Sequence, residues 1–181
     1  MKQNQISRRS FLFQATGAAL TLLVGKTLAQ GAKLSTAMKL DVHFEFAAPG
    51  GFMYRPPYIA VWLENAQGAQ VRTLALWFEQ SGKGSRWLNE LKRWYRSGNL
   101  ASTTSSPTRQ PGKYSLTWDG KDDKGNLLTQ GEYYVCIEMA REHGPYQLFR
   151  EKLNLTSSAL KQTFTIDGEL KTVNLEYLKR S

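Results

Sequence analysis

Glu138, Arg141, Glu142 and His143 fall in one short segment that leaves an apolar stretch and enters the Gly144-Pro145 turn. An arginine, two carboxylates and a histidine at a strand end can converge on one ligand, because recognition groups are commonly presented on loops by a rigid scaffold. The same residues can equally form an ion-pair network that pins a corner of the fold. His43 and Glu45 share one face of an early strand and could join them, but the sequence does not establish that the two strands are neighbours. Glu138 and His143 are the one acid–base pair on offer, and neither a nucleophile nor a full metal set accompanies them.

The remaining chemistry is sparse. There is no serine-nucleophile elbow, no P-loop and no His-Glu-x-x-His. Two histidines and the single cysteine, Cys136, are too few for a transition-metal cage built by one chain. The run Asp119-Gly-Lys-Asp122-Asp123-Lys-Gly125-Asn126 resembles a calcium loop in composition only. Its carboxylates sit at relative positions 1, 4 and 5, and Gln130 stands at position 12 where a bidentate Glu belongs. A turn capped by Asp and Asn, with Gly125 at positive φ, is the reading its spacing favours. A non-catalytic protein is therefore expected.

The N-terminus carries an address. Arg8-Arg9 precede an apolar run through Gly25, and Thr27-Leu28-Ala29 offer small residues for cleavage. The arginine pair reads as a twin-arginine (Tat) signal, which makes the Tat export machinery a partner and the periplasm the destination. The expected organisation is a removable signal over residues 1–29, a polar linker over 30–37 and one domain over 38–181. Loss of Lys2, Arg8, Arg9 and Lys26 lowers the net charge from +9 to +5. That dispersed excess suits an anionic partner or membrane face and does not imply nucleic acid.

The elements that must position these residues are mostly strands. Residues 40–46 alternate, with Val42, Phe44 and Phe46 on one side and Asp41, His43 and Glu45 on the other. Residues 58–64 and 71–78 form a hairpin about Ala66-Gln67-Gly68. Residues 113–118 and 133–139 are further strands, and 162–166 with 171–178 close the chain as a hairpin about Asp167-Gly168. Trp87, Leu88, Leu91, Trp94 and Tyr95 make an apolar stripe at helical spacing, with Ser85 as N-cap, Gly98 past the end and Arg86, Lys92, Arg93 and Arg96 mainly on other sides. Such an aromatic–basic helix could bind an anionic surface; its stripe suits a core. The sum is a mainly β, immunoglobulin-like antiparallel sandwich with one inserted amphipathic helix.

Two resemblances follow. The stretch from Tyr114 through Trp118-Asp-Gly120 to Gly131-Glu-Tyr133 resembles a strand–turn–strand hairpin of the immunoglobulin-like module in flagellar hook-capping proteins, which implies a buried Trp118. More widely, Arg55-Pro-Pro-Tyr58-Ile-Ala-Val-Trp62-Leu-Glu64, Val71-Arg-Thr-Leu-Ala-Leu-Trp77, Trp87-Leu-x-x-Leu91-x-x-Trp94-Tyr-Arg96, the Trp-Asp-Gly turn and Glu138-x-Ala140-Arg-Glu-His-Gly144 together resemble domain-of-unknown-function family 2271, predicted periplasmic proteins. Genes of that family often neighbour PepSY-type iron-regulated membrane proteins and the transferase that attaches FMN to exported proteins. The resemblance thus implies a binding or accessory role beside an extracytoplasmic redox or iron-uptake membrane system. The alternative is a purely structural immunoglobulin-like interaction module without a ligand. Covalent FMN at Thr108 is disfavoured, because Ser102, Ser106 and Pro107 replace the Asp, Gly and Ala of the attachment pattern. No cofactor is thereby named.

Overall fold

The computed structural model describes residues 31–48, 50, 54–97, 103–142 and 144–180. The signal segment with Arg8 and Arg9, the expected cap Gly98 and the candidate His143 lie outside them. Among the described residues nine strands form two sheets: β1 (Met38–Phe46), β2 (Tyr58–Asn65), β3 (Gln70–Trp77), β4 (Ser105–Ser106), β5 (Gly112–Trp118), β6 (Gly131–Ala140), β7 (Gln147–Leu155), β8 (Leu160–Thr165) and β9 (Leu170–Lys179). One sheet runs β5-β1-β9-β8 and the other β4-β3-β2-β6-β7. All pairings are antiparallel except the short β3–β4 contact. The mainly β sandwich expected from the sequence is the one that forms.

Alternation builds the core. Leu40, Val42, Phe44 and Phe46 of β1 face Ile59, Val61 and Leu63 of β2 and Tyr133, Val135, Ile137 and Met139 of β6. Aromatic pairs bridge the layers, with ring centroids 5.8 Å apart for Phe44–Trp77 and 5.9 Å for Trp118–Tyr133. Trp118 is 1% exposed, and its Nε1 donates to the Lys121 carbonyl at 2.7 Å. Leu34, ahead of β1, also packs into this core, and its amide donates to the Leu128 carbonyl.

The chain departs from expectation in three places. The stretch from β5 to β6 is not one hairpin: β5 pairs with β1, whereas β6 pairs with β2 and β7. Residues 119–130 carry the chain from one sheet to the other. Within that crossover, Asp122 Oδ1 accepts from the amides of Lys124 (2.9 Å) and Asn126 (2.8 Å), and Gly125 has φ 82°, so the turn is of the expected Asx kind. β7 is a strand beyond those expected. The helix is a 3-10 segment, Gly84–Glu90, followed by a short helix α1, Lys92–Arg96. Ser85 caps neither piece. The chain breaks at Leu91 (φ −75°, ψ 71°), which starts a second helical turn with its own unsatisfied amides.

Candidate functional site

β2 is buried on both sides along nearly its whole length. Its inward residues join the sandwich core, and its outward residues Tyr58, Ala60 and Trp62 join Leu76, Cys136 and Ala140 from the neighbouring strands. Leu88, Leu91 and Trp94 of the helical segment close over them. Small residues share this layer with large ones: Ala60, Cys136 and Ala140 are buried in the same cluster as Trp94, which is 1% exposed. The Trp94 indole donates to Thr73 Oγ1 at 3.2 Å, and the Tyr58 hydroxyl donates to the Gly84 carbonyl at 2.9 Å. Gly84 is obligatory there, since a Cβ would lie 1.8 Å from the Glu79 carbonyl oxygen. Burial pushes the Cys136 thiol well up, which leaves it a packing residue rather than a nucleophile.

Two buried carboxylates seat this layer. Glu138, 0% exposed, points outward from β6. Its Oε2 accepts from the Trp94 amide (2.8 Å), and its Oε1 accepts from the Arg93 amide (2.8 Å) and the Tyr146 hydroxyl (2.7 Å). A carboxylate from a distant strand thus caps the N-terminus of α1, replacing the missing local cap and favouring the helix dipole. Burial and the bond to Glu138 push the Tyr146 phenol up. Glu64, at the outward end of β2, is 3% exposed. It accepts from Arg93 Nε (2.8 Å) and Nη2 (2.7 Å), from Arg150 Nε (2.9 Å) and from the Trp62 indole (3.1 Å). Burial raises the Glu64 carboxyl, but those donors outweigh it and hold the group below its ordinary range.

Of the described residues of this segment, Glu138 faces the helical layer, whereas Arg141 and Glu142 border a separate cleft. Glu138 belongs to the helix seat. Arg141, 8% exposed, pairs with Glu169 through Nε (3.1 Å) and Nη2 (2.6 Å) and stacks on the Tyr54 ring at 4.7 Å. It ties the end of β6 to the β8–β9 loop, which is the corner-pinning role. Glu142 binds Arg55 at 2.9 Å. His43 lies on the outer face of the other sheet, where Nδ1 shares a 2.6 Å hydrogen bond with Ser115 Oγ, so the sandwich core separates it from Glu138. Thr108 lines a cleft of about 370 Å³ with Arg55, Tyr58, Trp87, Arg141 and Glu142, so two of the candidates, Arg141 and Glu142, do share one cavity.

What the sequence reading missed is Glu64 and its two arginines. The signal available is an acid on an otherwise apolar strand two residues after Trp62, whereas Glu138 stands out for its place in the cluster with Arg141, Glu142 and His143. Beside this cluster lies an open cleft of about 510 Å³ lined by Glu64, Gly68, Lys92, Arg93, Arg96, Ser97, Tyr146 and Leu148. Tyr95, Tyr146 and Leu148 are the exposed large hydrophobic side chains among the described residues. Lys92 Nζ sits 5.1 Å from the Tyr146 ring centre, and Tyr95 and Arg96 follow Lys92 on the outward side of α1. This rim can recognise an anion that carries an apolar or aromatic part.

Among the described residues, no group of three His, Cys, Asp or Glu side chains is placed to hold a metal ion. No described helix is long and apolar enough to cross a membrane. No curated protein and no solved structure matches the chain. One family model does, over residues 39–173, a span that takes in both sheets, the helical segment and the buried carboxylates. The chain accordingly belongs to domain-of-unknown-function family 2271, described as predicted periplasmic proteins.

Proposed function

We propose that the chain is a non-catalytic binding or accessory protein of the periplasm that works beside a redox or iron-uptake system of the inner membrane. The observation that carries the non-catalytic part is the commitment of Glu138. Both of its oxygens are taken by the Arg93 and Trp94 amides and the Tyr146 hydroxyl, so the best acid–base candidate is a structural cap. Arg141 is likewise held by Glu169. The binding part is supported by the helix-bearing face, where Lys92, Arg96, Tyr95, Tyr146 and Leu148 lie at the surface above a fixed base. The stretches that carry the family resemblance in β2, β3, the helical segment and the end of β6 meet there. The redox or iron association rests on the family resemblance alone. Export folded, through the Tat pathway with removal of residues 1–29, completes the proposal and rests on Arg8-Arg9.

The test is in-cell cross-linking of the tagged protein from the periplasmic side, with the captured partner identified. The expected partner is an inner-membrane protein that carries flavin, haem or iron. A partner with none of these would remove the redox or iron part. Capture of no partner at all would favour a structural module. The Lys-Lys variant at Arg8 and Arg9 should stay in the cytoplasm, because the receptor reads the guanidinium pair and not charge alone; normal periplasmic levels would defeat the Tat route.

A further inference from the structure

We propose that the cleft between α1 and the start of β7 binds a small organic phosphate. The inference rests on the binding role above and names the ligand class for that face. The cleft, about 510 Å³, falls in the range of small-ligand pockets.

Its charge is unbalanced. Lys92, Arg93 and Arg96 line it, and Arg150 borders it, with Nη2 3.9 Å from where a Cβ on Gly68 would stand. Against these four cations stand two carboxylates, Glu64 and Glu138, which leaves an excess of two positive charges. Neither carboxylate can swing out to neutralise a ligand-free cleft, because each is buried and held by several donors. Glu64 engages Nε and Nη2 of Arg93 and Nε of Arg150. Glu64 does not engage Nη1 of Arg93 or either Nη atom of Arg150, whose guanidinium lies over the Tyr134 ring at 3.4 Å. Arg96 has no ion-pair partner among the described residues, and Lys92 has only the Tyr146 ring.

A phosphate monoester matches that surplus, since it carries about two negative charges near neutral pH on three acceptor oxygens. Arginine forks suit such oxygens because their donors are planar and paired. The organic part has its own seat: Tyr146 is 41% exposed and Leu148 36% exposed, both on the cleft wall. Gly68, at φ 80°, keeps the opposite wall low beside the arginines. The two buried glutamates thus position the cations and do not compete as ligands.

The experiment is calorimetric titration of the purified mature protein with phenyl phosphate. The expected result is saturable one-to-one binding, weakened about tenfold or more in the Lys92→Glu, Arg96→Glu double variant with an unchanged melting temperature. Both side chains are exposed, so the fold does not depend on them. Lys113→Glu with Lys161→Glu, on the other sheet, should bind as the wild type does. Phenylsuccinate should bind more weakly than phenyl phosphate; equal or tighter binding would overturn the phosphate assignment. Absence of wild-type binding, or equal binding by the Lys92, Arg96 variant, would overturn the site. So would attachment to phosphatidylglycerol vesicles without binding of phenyl phosphate, which would make the face a membrane contact. None of these failures touches the accessory role, whose readout is the cross-linked membrane partner.

Discussion

On the outer face of β1 and β5, Asp41, His43, Ser115 and Thr117 stand at the surface and pair across the strands: Thr117 donates to Asp41 at 2.6 Å, and His43 meets Ser115 at the same distance. On the outer face of β2 and β6, the equivalent pleat positions hold Tyr58, Ala60, Trp62, Cys136 and Glu138, and the helical segment covers them. Both faces grow from the same two-residue alternation. They differ because one sheet is asked to bury a single side and the other to bury two, and a doubly buried sheet that keeps acids must supply each with fixed donors. The covered face therefore spends its carboxylates on architecture and presents cations and rings at its surface. The bare face presents solvated polar pairs whose loss costs little.

The largest effect expected from this difference is at Trp94. Trp94→Ala should cost about 3–5 kcal/mol, as for a large aromatic truncated in a packed core, and denaturant unfolding measures it. A loss below that of a surface substitution would mean the helical segment is not seated as described.

Glu138→Gln comes next. The amide keeps one acceptor but turns a donor toward the Arg93 or Trp94 amide, so about 2–3 kcal/mol should be lost. Amide exchange at Arg93 and Trp94 should quicken while the β1–β9 amides stay protected. Uniform quickening would show that the cap is not local to α1.

Acid sharpens the contrast. The Glu64 carboxyl is depressed below its ordinary value of 4.5 in the folded protein, so the stability it contributes is complete above that pH and drains away as pH falls through the depressed value. Asp41 on the bare face is also depressed, because Lys39 and Thr117 outweigh its burial. Its carboxylate is more exposed than that of Glu64, 13% against 4%, and is held by one lysine in place of two arginines, so its pair is the more screened. Glu64→Gln should thus flatten the acid limb of the stability curve more than Asp41→Asn. Equal flattening would remove the distinction between the faces.

The smallest effect belongs to His43. His43→Ala should change stability by about 0.5 kcal/mol, since it breaks one hydrogen bond at a surface position. A larger loss would give the bare face a role it lacks here.

The comparison also explains what could be read in advance. The bare face was legible in residues 40–46, where apolar and polar side chains alternate, because water on one side enforces the pattern. β2 was legible as a strand, but its unbroken apolar run did not announce what covered its outer side. β7 does not show in the sequence because Glu151 sits in the row of Phe149, Leu153 and Leu155, while Leu148 points outward. The β5–β6 stretch looked like a hairpin because local turn chemistry says nothing about which sheet a strand joins. At the site, the type of Glu138 was informative and its use was not. Whether a buried acid binds a ligand or caps a helix depends on which amides the fold brings to it, and those of Arg93 and Trp94 come from 45 and 44 residues away.

The most direct test of the central claim, that the helix-bearing face is the binding face, compares two charge reversals of equal size in the membrane-partner cross-linking. Lys92→Glu with Arg96→Glu should abolish or sharply reduce capture of the inner-membrane partner, while Lys113→Glu with Lys161→Glu leaves it intact and both proteins melt as the wild type does. Undiminished capture by the Lys92, Arg96 variant, with capture lost in the Lys113, Lys161 variant, would contradict it.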